Sequence, residues 1–159
     1  MDARTIRDTA AGVAAGAGVL LLADLSLGWY SARVAAAGVV TIRSTVSGWT
    51  NVGVVAGLVT IAMLVFMIRP ARHSGVIDFV QAAVTAALGL AVLGFAIAAA
   101  FTSSASITVP AAAIAVGSRL WPSYAGIGLG AVVAVAALTA LAEVLRGVTA
   151  PARAIQINR

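Results

Sequence analysis

Residues 28–50 have the sequence GWYSARVAAAGVVTIRSTVSGWT, a polar and β-branched insert between two long apolar runs. This insert and a later segment hold every tryptophan and tyrosine of the chain: Trp29, Tyr30, Trp49, Trp121 and Tyr124. Indole and phenol rings favour the boundary between membrane and water, where the flat ring is among acyl chains and its polar atom stays hydrated. The five residues therefore predict one outer belt at a single face of a bilayer.

The composition predicts a membrane protein. Of the 159 residues, 62% are hydrophobic and only 9% are charged, and the mean hydropathy is +1.07. So little polar surface cannot cover a soluble fold. We expect an all-α, four-transmembrane-helix bundle that forms a single domain over residues 1–159. Its helices correspond to the four apolar runs that can cross a hydrocarbon core of about 30 Å, residues 9–27, 51–68, 76–101 and 123–145.

The arginines predict the orientation of this bundle. All ten basic residues are arginines, and most of them lie in the N-terminal segment, in the link between the second and third runs, and in the C-terminal tail. Positive residues are retained on the cytoplasmic side, so we expect an N-in/C-in, multi-pass protein of the bacterial cytoplasmic membrane. The arginines are scattered around apolar segments, so the formal charge of +5 does not indicate a nucleic-acid partner.

The two outer loops, residues 28–50 and 102–121, predict a small extracytoplasmic cap. Residues 32–36 and 39–46 are rich in β-branched side chains around Gly38, a pattern typical of a hairpin. The later loop is similar and contains Pro110, which suits an edge strand. We expect an antiparallel sheet of two to four strands, with irregular loops as the alternative.

Three pairs of glycines have GxxxG spacing in the first, second and fourth predicted helices. In lipid, small residues allow helix backbones to approach closely, since there is little hydrophobic drive between helices. The pairs serve either packing within the bundle, which is the commoner use, or contact with a partner or a second copy in a homo-oligomer. They are Gly12 and Gly16, Gly53 and Gly57, and Gly126 and Gly130.

Asp24 is the candidate functional carboxylate. It lies about one turn inside the outer boundary, where a charge needs a partner or water. Arg33, Arg43 or Arg119 on the outer loops could supply that partner, and the carboxylate would then tie the cap to the bundle. The chain has no cysteine and one histidine, His73. No acid–base or nucleophile arrangement is visible, so we expect no enzyme activity, no metal site and no cofactor.

Two short steps flank the first outer loop, Gly28-Trp29-Tyr30-Ser31 and Ser47-Gly48-Trp49. With these steps the layout resembles small actinobacterial four-helix membrane proteins of unknown function, including conserved hypothetical proteins associated with tryptophan-biosynthesis regions. It is also similar, by analogy, to claudin-type tetraspan proteins, although the claudin cysteine pair is missing. The resemblance implies an architecture and no activity.

Together these features predict a non-catalytic accessory or scaffold subunit that binds and stabilises a larger membrane protein complex. Small-residue stripes, a structured outer loop and the scarcity of buried charge favour this function. The alternative is a small transporter or lipid-handling protein that uses Asp24. In either case the expected partners are the lipid bilayer and, for the accessory subunit, another integral membrane protein.

Overall fold

The computed structural model describes residues 3–36, 40–50, 52–68, 75–102 and 113–157. Most of them are helical, in four helices: α1 (Ala3–Leu25), α2 (Val52–Met67), α3 (Gly75–Thr102) and α4 (Trp121–Ile157). The other regular elements are three strands: β1 (Gly28–Ala36), β2 (Val40–Ser47) and β3 (Ala113–Arg119). The expectation of a four-helix protein with a small antiparallel sheet is thus confirmed.

Three of the helices are long and apolar enough to cross a membrane, over Arg4–Leu25, Asp78–Phe101 and Trp121–Gly147. The helix α2 has 16 residues, a length of about 24 Å at 1.5 Å per residue. That is shorter than a hydrocarbon core of about 30 Å. The three longer helices make the chain compatible with a membrane location.

The helix α4 is longer than the predicted run of residues 123–145. It begins at Trp121, where the carbonyl of Leu120 accepts hydrogen bonds from the backbone N–H of Ser123 at 3.1 Å and from its hydroxyl at 2.7 Å. Pro122 follows directly, at a position in the first turn that needs no N–H donor. At its other end α4 continues to Ile157, so its length is about 55 Å.

The sheet has the strand order β2-β1-β3, and both pairings are antiparallel. The first two strands form the predicted hairpin, and β3 joins β1 from the far side, with Tyr30 opposite both Val46 and Arg119. The register between β1 and β2 shifts between Gly28 and Tyr30. Such a bulge re-aims the side chain at its centre, which here is Trp29. Pro110 lies outside the described residues.

The helices pack in a ring, α1 against α2 and α4, and α3 against the same two helices. Each helix contributes one fully buried side chain to the centre: Leu21, Met63, Val92 and Val133. A second apolar cluster joins the bundle to the sheet through Leu25, Trp29, Tyr30 and Ala99. The sheet therefore closes one end of the bundle, where α1 and α3 end and where α2 and α4 begin. We call this the sheet end; the opposite end, where the described residues include no sheet, is called the open end.

Candidate functional site

Asp24 lies in the last turn of α1, and only 6% of its surface is exposed. Its backbone carbonyl accepts two hydrogen bonds, one from the N–H of Leu27 at 2.9 Å and one from the indole N–H of Trp29 at 3.0 Å. A carbonyl in the last turn has no partner within its own helix. Asp24 thus ends α1 and anchors the first tryptophan of the sheet end.

The carboxylate of Asp24 faces α4. Its Oδ2 atom is buried and has no hydrogen-bond partner in the described part of the chain. A Cβ atom added at Gly126 would lie 3.0 Å from this oxygen. Of the predicted cationic partners, Arg119 lies over the ring of Phe101 at the end of α3, with its Cζ atom 4.7 Å from the ring centroid. The side chains of Arg33 and Arg43 lie outside the described residues.

Trp29 is fully buried and is wedged between two glycines. A Cβ atom at Gly48 would lie 2.7 Å from Cε2 of the indole, and one at Gly126 would also lie within 3.0 Å of the ring. Real Cβ atoms do not approach so closely, so both positions require glycine. The GxxxG spacing predicted that Gly126 packs against another helix. In the structure Gly126 instead contacts the indole of Trp29, which belongs to the sheet.

The aromatic residues lie at one end of the bundle but not in one environment. Trp29 and Tyr30 are buried within the protein. Their polar atoms find internal carbonyls, since the Tyr30 hydroxyl donates to the carbonyl of Ala99. Trp121 and Tyr124 are 71% and 57% exposed, as a boundary residue would be.

Trp49 is intermediate between these two cases. It is half-buried, and its indole N–H donates to the hydroxyl of Ser26 at 3.1 Å. A Cβ atom at Gly57 would lie within 3.0 Å of its ring. This tryptophan therefore fixes the start of α2 against the end of α1.

The predicted glycine pairs fall into two groups. Four glycines have close neighbours inside the protein: Gly57 and Gly126 against indoles, Gly53 against the backbone of Gly48, and Gly130 against the Cα atom of Leu93 at 3.3 Å. The other two, Gly12 and Gly16 on α1, are exposed, and an added Cβ would meet nothing within 4 Å. Only this pair is left for a contact outside the described structure.

A cavity of about 250 Å³ lies between α1, α3 and α4 at the open end, and Met67 at the end of α2 also lines it. Its polar lining includes Arg7, Asp8 and Asp78. The Arg7 Nη1 atom is 3.7 Å from Oδ2 of Asp78, and its Nε atom is 3.4 Å from Oδ1 of Asp8. Sequence reasoning missed this site, because no local spacing joins the first turns of α1 with the first turn of α3.

Within the described ranges no three histidine, aspartate or glutamate side chains converge as a metal site would require. No family model and no curated protein sequence matches the chain. Three features of the structure are candidates for a function: the buried carboxylate of Asp24, the exposed face of α1, and the polar cavity at the open end.

Proposed function

We propose that the protein is a non-catalytic accessory subunit that binds and stabilises a larger integral membrane protein. Its bundle crosses the bacterial cytoplasmic membrane with both termini inside and the sheet outside, as the arginine distribution favours. The observation that supports this function best is the open pair Gly12 and Gly16 on α1. The other predicted glycines have their neighbours within the protein, so packing of the bundle does not account for this pair.

The exposed face of α1 is apolar and smooth. Gly12 and Gly16 lie among exposed Val13, Val19 and Leu20, whereas the opposite face of the same helix is buried against α2 and α4. Two backbones can come into near contact over such a face, and this is how small residues drive helix association in lipid. The partner would therefore contribute a transmembrane helix to α1.

The sheet offers a second contact of the same kind. The strands β2 and β3 are the outer strands of the described sheet, and each pairs with β1 on one side. An outer strand can pair with a strand of another protein through its free backbone groups. Such a subunit could contact its partner in two places, through the exposed face of α1 within the membrane and through an outer strand of the sheet outside it.

Co-purification from native membranes in mild detergent tests this function. The test variant is Gly12→Leu with Gly16→Leu. The matched control is Gly94→Leu with Gly128→Leu, since a Cβ atom at either position also meets nothing within 4 Å. We expect a stoichiometric partner with the wild type and the control, and its loss with the test variant. A lone monomer, a second copy as the sole partner, or equal recovery in all three would contradict the proposal.

A second candidate function is transport or lipid handling that depends on Asp24. The observation that favours it is the buried Oδ2 atom, which has no hydrogen-bond partner among the described residues. Charged groups at membrane depth often mark a pathway. In reconstituted vesicles, Asp24→Asn should abolish proton flux or the transfer of a fluorescent phospholipid, while Glu143→Gln at the open end should not. Equal activity of Asp24→Asn and wild type would remove this candidate.

A further inference from the structure

The cavity at the open end changes from polar to apolar with depth. Arg7 and Asp78 are at its mouth, while Ala14 and Thr85 lie two helical turns further in, about 10 Å at 1.5 Å per residue. The Thr85 hydroxyl donates a hydrogen bond to the carbonyl of Gln81 at 2.9 Å, so the hydroxyl proton is not available to a ligand in the cavity. Gln81 lies one turn further in than Asp78, and the other lining residues are alanines, Met67 and Val144. Such a gradient suits a ligand with one charged end and one apolar end.

The charges at the mouth are loosely paired. The two carboxylates lie 3.4 and 3.7 Å from the nearest guanidinium nitrogens of Arg7, and a charge-assisted hydrogen bond is about 2.7–2.9 Å long. The side chains of Arg7 and Asp78 are each about a quarter to a third exposed. The three groups therefore surround a gap that a ligand can enter, rather than closing on one another.

We propose that this cavity binds a phospholipid whose headgroup joins a phosphodiester to a primary ammonium. The guanidinium of Arg7 would hold the phosphate, since arginine matches phosphate oxygens with two parallel donors. Asp8 and Asp78 would accept hydrogen bonds from the ammonium, which has three N–H donors. One cation and two anions thus complement a zwitterion whose charges are a few atoms apart.

The same groups discriminate against other headgroups. A quaternary ammonium has no N–H to donate, and proteins usually bind it with aromatic rings. None of the described residues that line the cavity is aromatic. A purely anionic headgroup would satisfy Arg7 but would place a negative charge beside two carboxylates without an ammonium to offset them. Ethanolamine phospholipids should therefore bind better than choline or glycerol phospholipids.

The depth of the cavity fits a lipid of the inner leaflet. This step rests on the membrane orientation given above, but not on the existence of a protein partner. Along α1, Arg7 is about 27 Å from Leu25, and along α3, Asp78 is about 32 Å from Ala99 at the sheet end. Both lengths are close to a hydrocarbon thickness of about 30 Å. When the sheet end meets the outer boundary, the mouth of the cavity meets the headgroups on the opposite side.

Native mass spectrometry of the purified chain in detergent tests the proposal. The protein is offered an equimolar mixture of ethanolamine, choline and glycerol phospholipids. We expect one retained ethanolamine phospholipid, and about tenfold weaker retention in Arg7→Gln and in Asp78→Asn. The matched control is Arg4→Gln, which removes an exposed arginine one turn earlier on α1 and should retain the lipid. Circular dichroism identifies any variant that fails to fold.

Two further measurements complete the test, one with the variant Ala82→Leu and one with a soluble headgroup. Ala82→Leu keeps every charge and fills part of the cavity, so it should also weaken retention even if the charge variants unfold. Soluble glycerophosphoethanolamine carries the same two charges without acyl chains. If it alone binds, with the same dependence on Arg7, the headgroup chemistry is supported and the source is a free metabolite. Equal retention of the three lipids, or full retention by the folded Arg7→Gln variant, would overturn the proposal whatever the outcome of the co-purification.

Discussion

The two ends of the bundle differ in how the space between their helices is filled. Both are rich in small residues that leave space between the helices. At the sheet end the indole of Trp29 fills that space, and the ring contacts Gly48 and Gly126. At the open end a cavity of about 250 Å³ remains between the helices.

This difference separates a part of the protein that fixes shape from a part that can receive a ligand. The sheet end ties α1, α3 and β1 together through buried rings, each with its polar atom bonded to a carbonyl. At the mouth of the cavity, Arg7 lies 3.4 and 3.7 Å from the carboxylates of Asp8 and Asp78, distances too long for strong hydrogen bonds.

The largest effect is expected for Trp29→Ala. It removes a fully buried indole and leaves a void between the sheet and two helices, so the free energy of unfolding should fall by about 3–5 kcal/mol. Trp121→Ala is the matched control, because this indole is at the same end but is 71% exposed. Denaturant unfolding in detergent measures both. Equal losses for the two variants would show that Trp29 does not have its special packing role.

Gly126→Ala should destabilise the protein by about 1–3 kcal/mol, because the new methyl group would overlap the indole of Trp29. Gly128→Ala is the control on the same helix, since a Cβ atom there meets nothing within 4 Å. It should be neutral or stabilising by up to about 1 kcal/mol, as expected for glycine to alanine within a helix. An equal change in the free energy of unfolding for Gly126→Ala and Gly128→Ala would contradict the close packing of Trp29 against Gly126.

Asp24→Asn should raise the free energy of unfolding by about 1 kcal/mol. The substitution keeps the shape of the side chain and removes a buried carboxylate whose Oδ2 atom has no described hydrogen-bond partner. The backbone carbonyl that anchors Trp29 is unchanged. Denaturant unfolding at neutral pH measures the difference. A loss of more than 1 kcal/mol would mean that the carboxylate has a stabilising partner of opposite charge.

The smallest effect is expected for Ala82→Leu at the open end. The added side chain enters existing space, so stability should change by less than about 1 kcal/mol, with stabilisation as the expected direction. This contrasts with the sheet end, where a single methyl group at Gly126 is already too large. A thermal melt compares Ala82→Leu with the wild type. A strong destabilisation would show that the open end is as tightly packed as the sheet end.

The sequence was informative where structure depends on neighbours along the chain. Four apolar runs and one β-branched hairpin are local patterns, and they correspond to the four helices and to the pairing of β1 with β2. Asp24 stood out because a carboxylate inside an apolar run is costly. These features need no knowledge of how the helices are arranged.

The remaining features depend on residues that are distant in the chain. Trp29 and Trp121 are equivalent in sequence terms, and the burial of the first follows from Gly126 on another helix. The central place of β1 depends on β3, which follows more than seventy residues later. The cavity requires Arg7 and Asp78 to meet, and no spacing rule joins them. The glycines of the three GxxxG pairs also look alike in the sequence. In the structure, Gly12 and Gly16 have no neighbour within 4 Å of an added Cβ atom, whereas the glycines of the other two pairs have close neighbours inside the protein.

The orientation of the bundle underlies both proposals, and impermeant thiol labelling of intact cells tests it most directly. The natural chain has no cysteine, so single-cysteine variants report one site each. We choose Thr45→Cys, exposed on β2, and Arg146→Cys, exposed on α4 at the open end. We expect the Thr45→Cys variant to be labelled in intact cells and the Arg146→Cys variant to be labelled only after lysis. Labelling of Arg146→Cys in intact cells, with protection of Thr45→Cys, would contradict it.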